Sequence, residues 1–242
     1  MADGHGTIDG ATVWDRFNGT EPLIDGQQVP DTDIWIQDLT EELDEEVLQH
    51  LQEHFLRDAV LCRATRLLEH PDAVQEALAI WRYMLSQRVS LVALTIGEGG
   101  KPVIVGCNIL SIKRRLDEPI QVRSAPLRVI LEATRSAEAR ADVFARYGVD
   151  ACLTALGLSV APRFRGRGVG LRLLRARRPL CRALRLRLTA TVFTGAAAQQ
   201  QAQRAGFEPL AQIRYAEHRD ALGRPALAHA DGHAFVYMAM PV

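Results

Sequence analysis

The feature that most constrains the fold is a glycine- and arginine-rich stretch between an apolar run and a leucine-rich run. Residues 159–170 read SVAPRFRGRGVG; the preceding ACLTALGL has the composition of a buried strand, and the following LRLLRARRPLCRALRL has leucines at helical spacing. A strand, a glycine turn and a helix amino terminus together indicate a phosphate-binding cradle, because the first N–H groups of a helix have no partner within it. The pattern Arg165-x-x-Gly168-x-Gly170 is neither the Walker loop nor the dinucleotide-binding fingerprint.

Charge is distributed unevenly along the chain, although the formal net charge is zero. Residues 1–60 contain 15 acidic residues and two arginines, whereas residues 151–207 contain 11 arginines and no acid. Two solvated faces of opposite sign would explain most single arginines, but their concentration beside a glycine turn favours a polyanionic ligand. Proteins that read nucleic acids usually interleave aromatic side chains with basic ones, and here only Phe164 does so. We therefore expect no nucleic-acid partner.

The sequence gives no sign of a membrane, export or metal-binding role. No apolar run approaches the roughly 20 residues of a membrane span, and the first residues, MADGHGTIDGATVW, lack the basic and apolar regions of a secretory signal. The four cysteines are widely spaced and never form a CxxC pair. We therefore expect a cytoplasmic chain with reduced cysteines in its core, no membrane partner and no metal.

The order of predicted elements, βαα–ββ–α–β–α–β–α–ββ, indicates a single α/β domain over residues 33–242. Residues 1–32 are Gly/Asp-rich and are predicted to be a loosely ordered lead-in with at most one short strand. The segment DIWIQDLT alternates like a strand, with Ile34 and Ile36 on one face and Trp35 on the other.

Three further local patterns give definite expectations. Residues 90–113 contain two β-rich runs around GEGGKP and predict a hairpin. Residues 127–147 are expected to form one helix. Pro179 should end or kink the helix that follows the glycine turn.

The glycine turn and its surroundings resemble motif A of the GCN5-related N-acetyltransferases, in which Arg/Gln-x-x-Gly-x-Gly/Ala follows a strand. The hairpin at 90–113 and AQRAGFEPL at 202–210 are similar to further features of that family, in the same order. The resemblance implies a mixed, mostly antiparallel twisted sheet of about seven strands, with helices on both faces and a split beside the turn. It also implies acetyl-CoA as co-substrate. Its binding residues would be Leu158, Ser159 and Val160 on the strand, and Arg165, Gly166, Arg167, Gly168, Val169 and Gly170 in the pyrophosphate loop.

Other segments resemble the insect arylalkylamine N-acetyltransferase branch. HFLRDAVLC at 54–62 is similar to its Phe-x-x-Asp-Glu-Pro-Leu pattern, and the segment 215–240 is similar to its closing strands. The resemblance implies acetylation of a small primary amine, of the dopamine, serotonin or tyramine type, by direct attack in a ternary complex. We expect a monomer. The chain departs from the branch where its catalytic glutamate falls on Ala59 and its two serines fall on Thr194 and Ala198.

Without that glutamate, another group must take the proton that the amine loses. Asp58 and a water held by Thr194 are the preferred catalytic candidates. The less favoured candidates are Glu53, His54, His218, His229 and His233 as bases, and Tyr215 and Tyr237 as proton donors to the thiolate. Two alternatives stay open: a polyamine- or agmatine-type acyltransferase of the same fold, and a coenzyme A-binding protein whose catalysis is impaired by the two alanines.

Overall fold

A computed structural model describes residues 6–8, 10–19, 32–219, 223–227 and 230–242. Its strands form one nine-stranded sheet in the order β1-β2-β3-β4-β5-β6-β7-β9-β8. All neighbours pair antiparallel except β6 and β7. The strands are β1 Thr7–Ile8, β2 Ala11–Gly19, β3 Thr32–Asp38, β4 Leu91–Ile96, β5 Pro102–Arg114, β6 Ala151–Val160, β7 Leu188–Phe193, β8 Glu208–Arg214 and β9 Ala234–Pro241.

The two strands beyond the predicted seven lie in the N-terminal segment. The lead-in was predicted to contain at most one short strand, but it contains β1 and the nine-residue β2, which pairs along most of its length with β3. Phe17 of β2 is buried in the same apolar cluster as Ile34 and Ile36. Polar residues alternate irregularly with apolar ones along this strand, so its anchoring by this contact was not visible in the hydrophobic pattern. Residues 1–5, 9 and 20–31 of the expected lead-in lie outside the described residues.

Helices cover both faces of the sheet, as expected. Trp35 and the helices α1, α4 and α5 belong to one apolar cluster, whereas Ile34 and Ile36 pack with α7 in another, which confirms the predicted alternation along β3. The hairpin predicted over 90–113 is confirmed by the antiparallel pairing of β4 with β5. The α-helices are α1 Asp44–His50, α2 Leu56–Asp58, α3 Val60–Ala64, α4 Pro71–Leu85, α5 Ala125–Ala139, α6 Val143–Tyr147, α7 Val169–Ala183 and α8 Ala196–Ala205.

Two helix predictions need correction. The helix expected over 127–147 is interrupted between α5 and α6, because the side chain of Asp142 accepts a hydrogen bond from the Ala145 N–H and caps a new helix. Of the two outcomes expected at Pro179, an end or a kink, the first does not occur, because α7 continues to Ala183. Leu180 and Cys181, directly after the proline, are buried in the core, and this burial outweighs the one backbone hydrogen bond that proline removes.

Strands β6 and β7 form a split in the sheet. They are parallel and pair at a single position, Leu153 with Thr189, whereas β5 pairs with β6 from Ala151 to Val160 on the other side. Residues 154–160 of β6 therefore have no strand partner towards β7. The split opens towards the glycine turn, which follows β6 directly.

Candidate coenzyme and acetyl-transfer site

The turn between β6 and α7 has the geometry of an anion cradle. Gly166 and Gly168 have φ values of 81° and 79°, in the left-handed region that favours glycine. Gly168 is the N-cap of α7, and a Cβ built on it meets no atom within 4 Å. Because the first N–H groups of this 15-residue helix have no partner within it, they and the helix dipole face the open space above the turn. These residues fit a pyrophosphate.

Arg165 joins two of the predicted site residues. Its Nε donates a hydrogen bond to the Val160 carbonyl at 3.0 Å, and its Nη2 forms an ion pair with the Asp58 carboxylate. The Arg165 and Asp58 side chains are 47% and 39% exposed. A carboxylate that accepts a proton near neutral pH is usually partly desolvated, whereas Asp58 is half-exposed and pairs with Arg165 of the glycine turn. It therefore also orients Arg165.

Arg167 lies on the other side of the turn, against the N-terminal strands. Its Nη1 donates to the Thr32 hydroxyl at 3.0 Å, and its guanidinium carbon lies 5.3 Å from the centre of the Phe164 ring. Partial burial lowers the pKa of Arg167 from its ordinary value. The guanidinium carbon of Arg163 lies 4.8 Å from the centre of the same ring. The aromatic ring thus supports two arginines next to the cradle.

The end of β6 presents backbone groups to the split. The Ala161 N–H donates to the Val105 carbonyl of β5, so strand alternation points the backbone of Ser159 towards β5 and that of Leu158 and Val160 towards the split. This arrangement suits the predicted contacts with the amide-bearing arm of a coenzyme. The Val160 carbonyl also accepts the hydrogen bond from Arg165 Nε.

The predicted catalytic segments approach each other at the mouth of the split. Helix α2 ends at Asp58, and Ala59 adopts extended backbone angles, φ −65° and ψ 130°, before α3 begins. Gly195 directly follows Thr194, and a Cβ built on it would lie 3.9 Å from the Val60 side chain. The Thr194 carbonyl accepts a hydrogen bond from the Tyr215 hydroxyl. The Asp58 and Thr194 segments therefore lie near one corner, between β7 and α8.

A buried histidine beside the coenzyme strand was missed in the sequence analysis. His50 Nε2 lies 3.0 Å from the Ser159 hydroxyl. The His50 and His54 rings pack edge to face, with their centres 4.8 Å apart. Burial, with a smaller contribution from His54, lowers the pKa of His50 to about 4. His50 ends α1, directly before a single π-helical turn, Leu51–Phe55. Such turns are frequent at functional sites, but nothing in the local sequence distinguishes this one.

The other predicted acid–base residues have mixed environments. His218 is buried, with its pKa lowered by desolvation, whereas His233 is exposed. His229 lies outside the described residues. Tyr215 and Tyr237 are buried, and desolvation raises the pKa of both.

The described residues offer no reactive cysteine, no metal-ligand cluster and no membrane-spanning helix. The four cysteines are buried in the core, and desolvation raises the pKa of Cys62 and Cys152 to about 12, so these thiols are poor nucleophiles at neutral pH. Among the described residues, no cluster of His, Cys, Asp or Glu could hold a metal ion. No helix in the described ranges combines the length and apolarity needed to cross a bilayer.

Comparison with known proteins places this geometry among solved structures. No protein-family model matches the sequence, and no curated protein matches it. A protein of the yellow fever mosquito, Aedes aegypti, provisionally named arylalkylamine N-acetyltransferase 7, is 34% identical with a TM-score of 0.86, over 99% of this chain and 98% of that one.

Two more distant structures share the fold. Arylalkylamine N-acetyltransferase 2 of Aedes aegypti is 21% identical with a TM-score of 0.74, over 86% of this chain and 98% of that one. A polyamine N-acetyltransferase of Drosophila melanogaster, which forms N-acetylagmatine, is 22% identical with a TM-score of 0.70, over 87% of this chain and all of that one. The 34% identity over almost the full length of both chains assigns the family.

Proposed function

Because this chain belongs to the GCN5-related N-acetyltransferases, in the branch of the insect arylalkylamine N-acetyltransferases, we propose that it transfers acetyl from acetyl-CoA to a small primary amine. The observation that carries the proposal is the split between β6 and β7 directly beside an open, basic glycine turn. The turn binds the pyrophosphate, and the backbone of Leu158 and Val160 holds the arm of the coenzyme. The bound coenzyme supplies the acetyl group as an activated thioester.

The proposed reaction is direct attack in a ternary complex. The neutral amine nitrogen forms a bond to the acetyl carbon, the carbon–sulfur bond breaks, and the nitrogen gives up one proton. We assign that proton to Asp58 or to a water held by Thr194, which the proximity of the two segments supports. The thiolate leaves in the coenzyme and takes up a proton. Monomeric state and cytoplasmic location stay predictions from the sequence.

An arylalkylamine is the preferred acceptor, and a polyamine is the alternative. The 34% identity to a protein named as an arylalkylamine N-acetyltransferase supports the first, whereas the polyamine enzyme shares only the fold at 22% identity. The binding-only alternative rests on Ala59 and Ala198, which stand where the branch has a glutamate and a serine.

Thiol release from acetyl-CoA, measured with a panel of arylalkylamines and polyamines, tests the proposal. We expect turnover with at least one arylalkylamine, and faster turnover after Ala59→Glu, because a restored carboxylate supplies a proton acceptor worth about 10²-fold or more. Faster turnover of polyamines would transfer the assignment to the alternative acceptor. If both the wild type and Ala59→Glu bind coenzyme A but neither releases thiol from acetyl-CoA with any amine, catalysis is contradicted and the binding-only function is supported.

A further inference from the structure

Arg177 of α7 is a fully buried arginine, with no exposed surface. Its guanidinium lies 5.2 Å from the centre of the Phe207 ring, and desolvation lowers its pKa to about 10. Within the described ranges, no carboxylate pairs with it, and its Nε and Nη1 have no hydrogen-bond partner. Burying an unpaired charge opposes folding, so stability alone does not account for an arginine at this position.

The contacts that Arg177 makes are concentrated where the sheet begins to split. Its Nη2 lies 3.1 Å from the Leu153 carbonyl on β6, 2.9 Å from the Thr191 hydroxyl on β7, and within hydrogen-bond distance of the Thr189 hydroxyl. The Thr189 hydroxyl also donates to the Leu153 carbonyl at 2.8 Å. Leu153 and Thr189 are the one pair that β6 and β7 share.

The Leu153 carbonyl is approached by both the Arg177 guanidinium and the Thr189 hydroxyl, at the one position where β6 and β7 pair. Arg177 also reaches the Thr191 hydroxyl, two residues further along β7, where β7 has no partner on β6. The guanidinium therefore bridges the two strands through side chains at their last common point.

We propose that Arg177 is a positioning residue that holds β6 and β7 apart at the apex of the split and thereby keeps the coenzyme channel open. The inference rests on the proposed function, because the channel is the one assigned to the coenzyme arm. Helix α7 carries both the turn at Gly168 and Arg177, nine residues later, which is roughly 13 Å along a helix. One rigid element therefore links the phosphate cradle to the apex.

Arg177→Met separates this role from a structural one. Methionine fills similar space without charge, and replacing a buried ionic group by an apolar one is often neutral or stabilising. We expect an unchanged or higher melting temperature. The dissociation constant for coenzyme A, measured by calorimetry, should be at least tenfold higher than that of the wild type. Arg182→Met, which removes the same charge from an exposed position of the same helix, should leave coenzyme affinity within about twofold of the wild type.

A second measurement does not depend on coenzyme binding. In the free protein, the amides of residues 154–158 should exchange hydrogen more slowly in Arg177→Met, because strands no longer held apart pair further. Unchanged exchange, unchanged coenzyme affinity, or a loss no larger than that of Arg182→Met would overturn the inference. A lower melting temperature with binding lost only in proportion to unfolding would also overturn it. A wild-type protein that binds no coenzyme A would contradict the proposed function instead, and the exchange experiment would still decide on Arg177.

Discussion

Burial lowers the pKa of His50 from 6.5 to about 4, and this shift makes folding sensitive to acid. The charged and titratable groups that act on the ring are His54, Glu53 and Arg165, each with a smaller effect than burial. Because the unfolded chain binds a proton near pH 6.5 and the folded chain does not until about pH 4, stability falls as the pH falls through that window.

We expect His50 to account for about 3 kcal/mol of the stability lost between pH 6.5 and pH 4, since one pKa unit corresponds to about 1.36 kcal/mol. His50→Gln should remove this part of the pH dependence, as measured by urea unfolding at several pH values. His233→Gln, at an exposed histidine, is the matched control and should behave like the wild type. Identical pH profiles for His50→Gln and the wild type would refute the burial argument.

The same residue shows where sequence reasoning ends. His50 and Ser159 are separated by 109 positions, and no local pattern predicts that a helix end will meet one particular strand residue. Arg165 was predicted from its motif, but its ion pair with Asp58, 107 positions away, was not. Spacing identifies the residues of a motif, whereas their partners depend on how distant elements pack.

At the scale of elements, short-range signals were reliable. The turn at GEGGKP and the strand–glycine turn–helix unit are encoded within a few residues, and both were predicted from sequence. The nine-residue length of β2 and the π-helical turn Leu51–Phe55 were not predicted, and an end of α7 at Pro179, one of two expected outcomes, does not occur. In β2 and α7, contacts with the rest of the molecule outweigh the local preference.

Arginines in the glycine turn and arginines beyond the end of α7 should contribute differently to coenzyme A affinity. Arg165 and Arg167 lie in the turn, whereas Arg185 and Arg187 follow the far end of α7, where Arg187 donates to the Gly148 carbonyl. Alanine at either turn position should weaken coenzyme A binding about tenfold, or about 1.4 kcal/mol. Alanine at the far positions should change binding less than about twofold.

Calorimetry at low and high salt measures this difference. Wild-type affinity should fall as salt rises, because the coenzyme phosphates and the exposed arginines are screened beyond about 10 Å at 0.1 M salt. The two turn variants should show a weaker salt dependence than the two far variants. Equal losses at all four positions would mean that general positive charge, rather than the turn, attracts the ligand.

At the scale of the whole molecule, the acidic N-terminal part and the arginine-rich part meet around the coenzyme turn. Asp15 of β2 accepts from Arg172 of α7 at 3.1 Å, and Asp58 pairs with Arg165. The concentration of arginines predicted a polyanionic ligand, but part of that charge pairs with acids of the same chain. These half-exposed pairs contribute little to stability, and their main consequence is to orient arginines beside the cradle.

The central claim is that the turn at 165–170 binds coenzyme A, and Gly168→Asp tests it most directly. An aspartate there places a side chain and a negative charge where we propose that the pyrophosphate binds. Gly99→Asp is a closely matched control, since Gly99 has φ 81° against 79° at Gly168, and a Cβ at either residue meets no atom within 4 Å. By calorimetry, Gly168→Asp should abolish coenzyme A binding while Gly99→Asp binds as the wild type does. Equal affinity of Gly168→Asp and the wild type would contradict the claim.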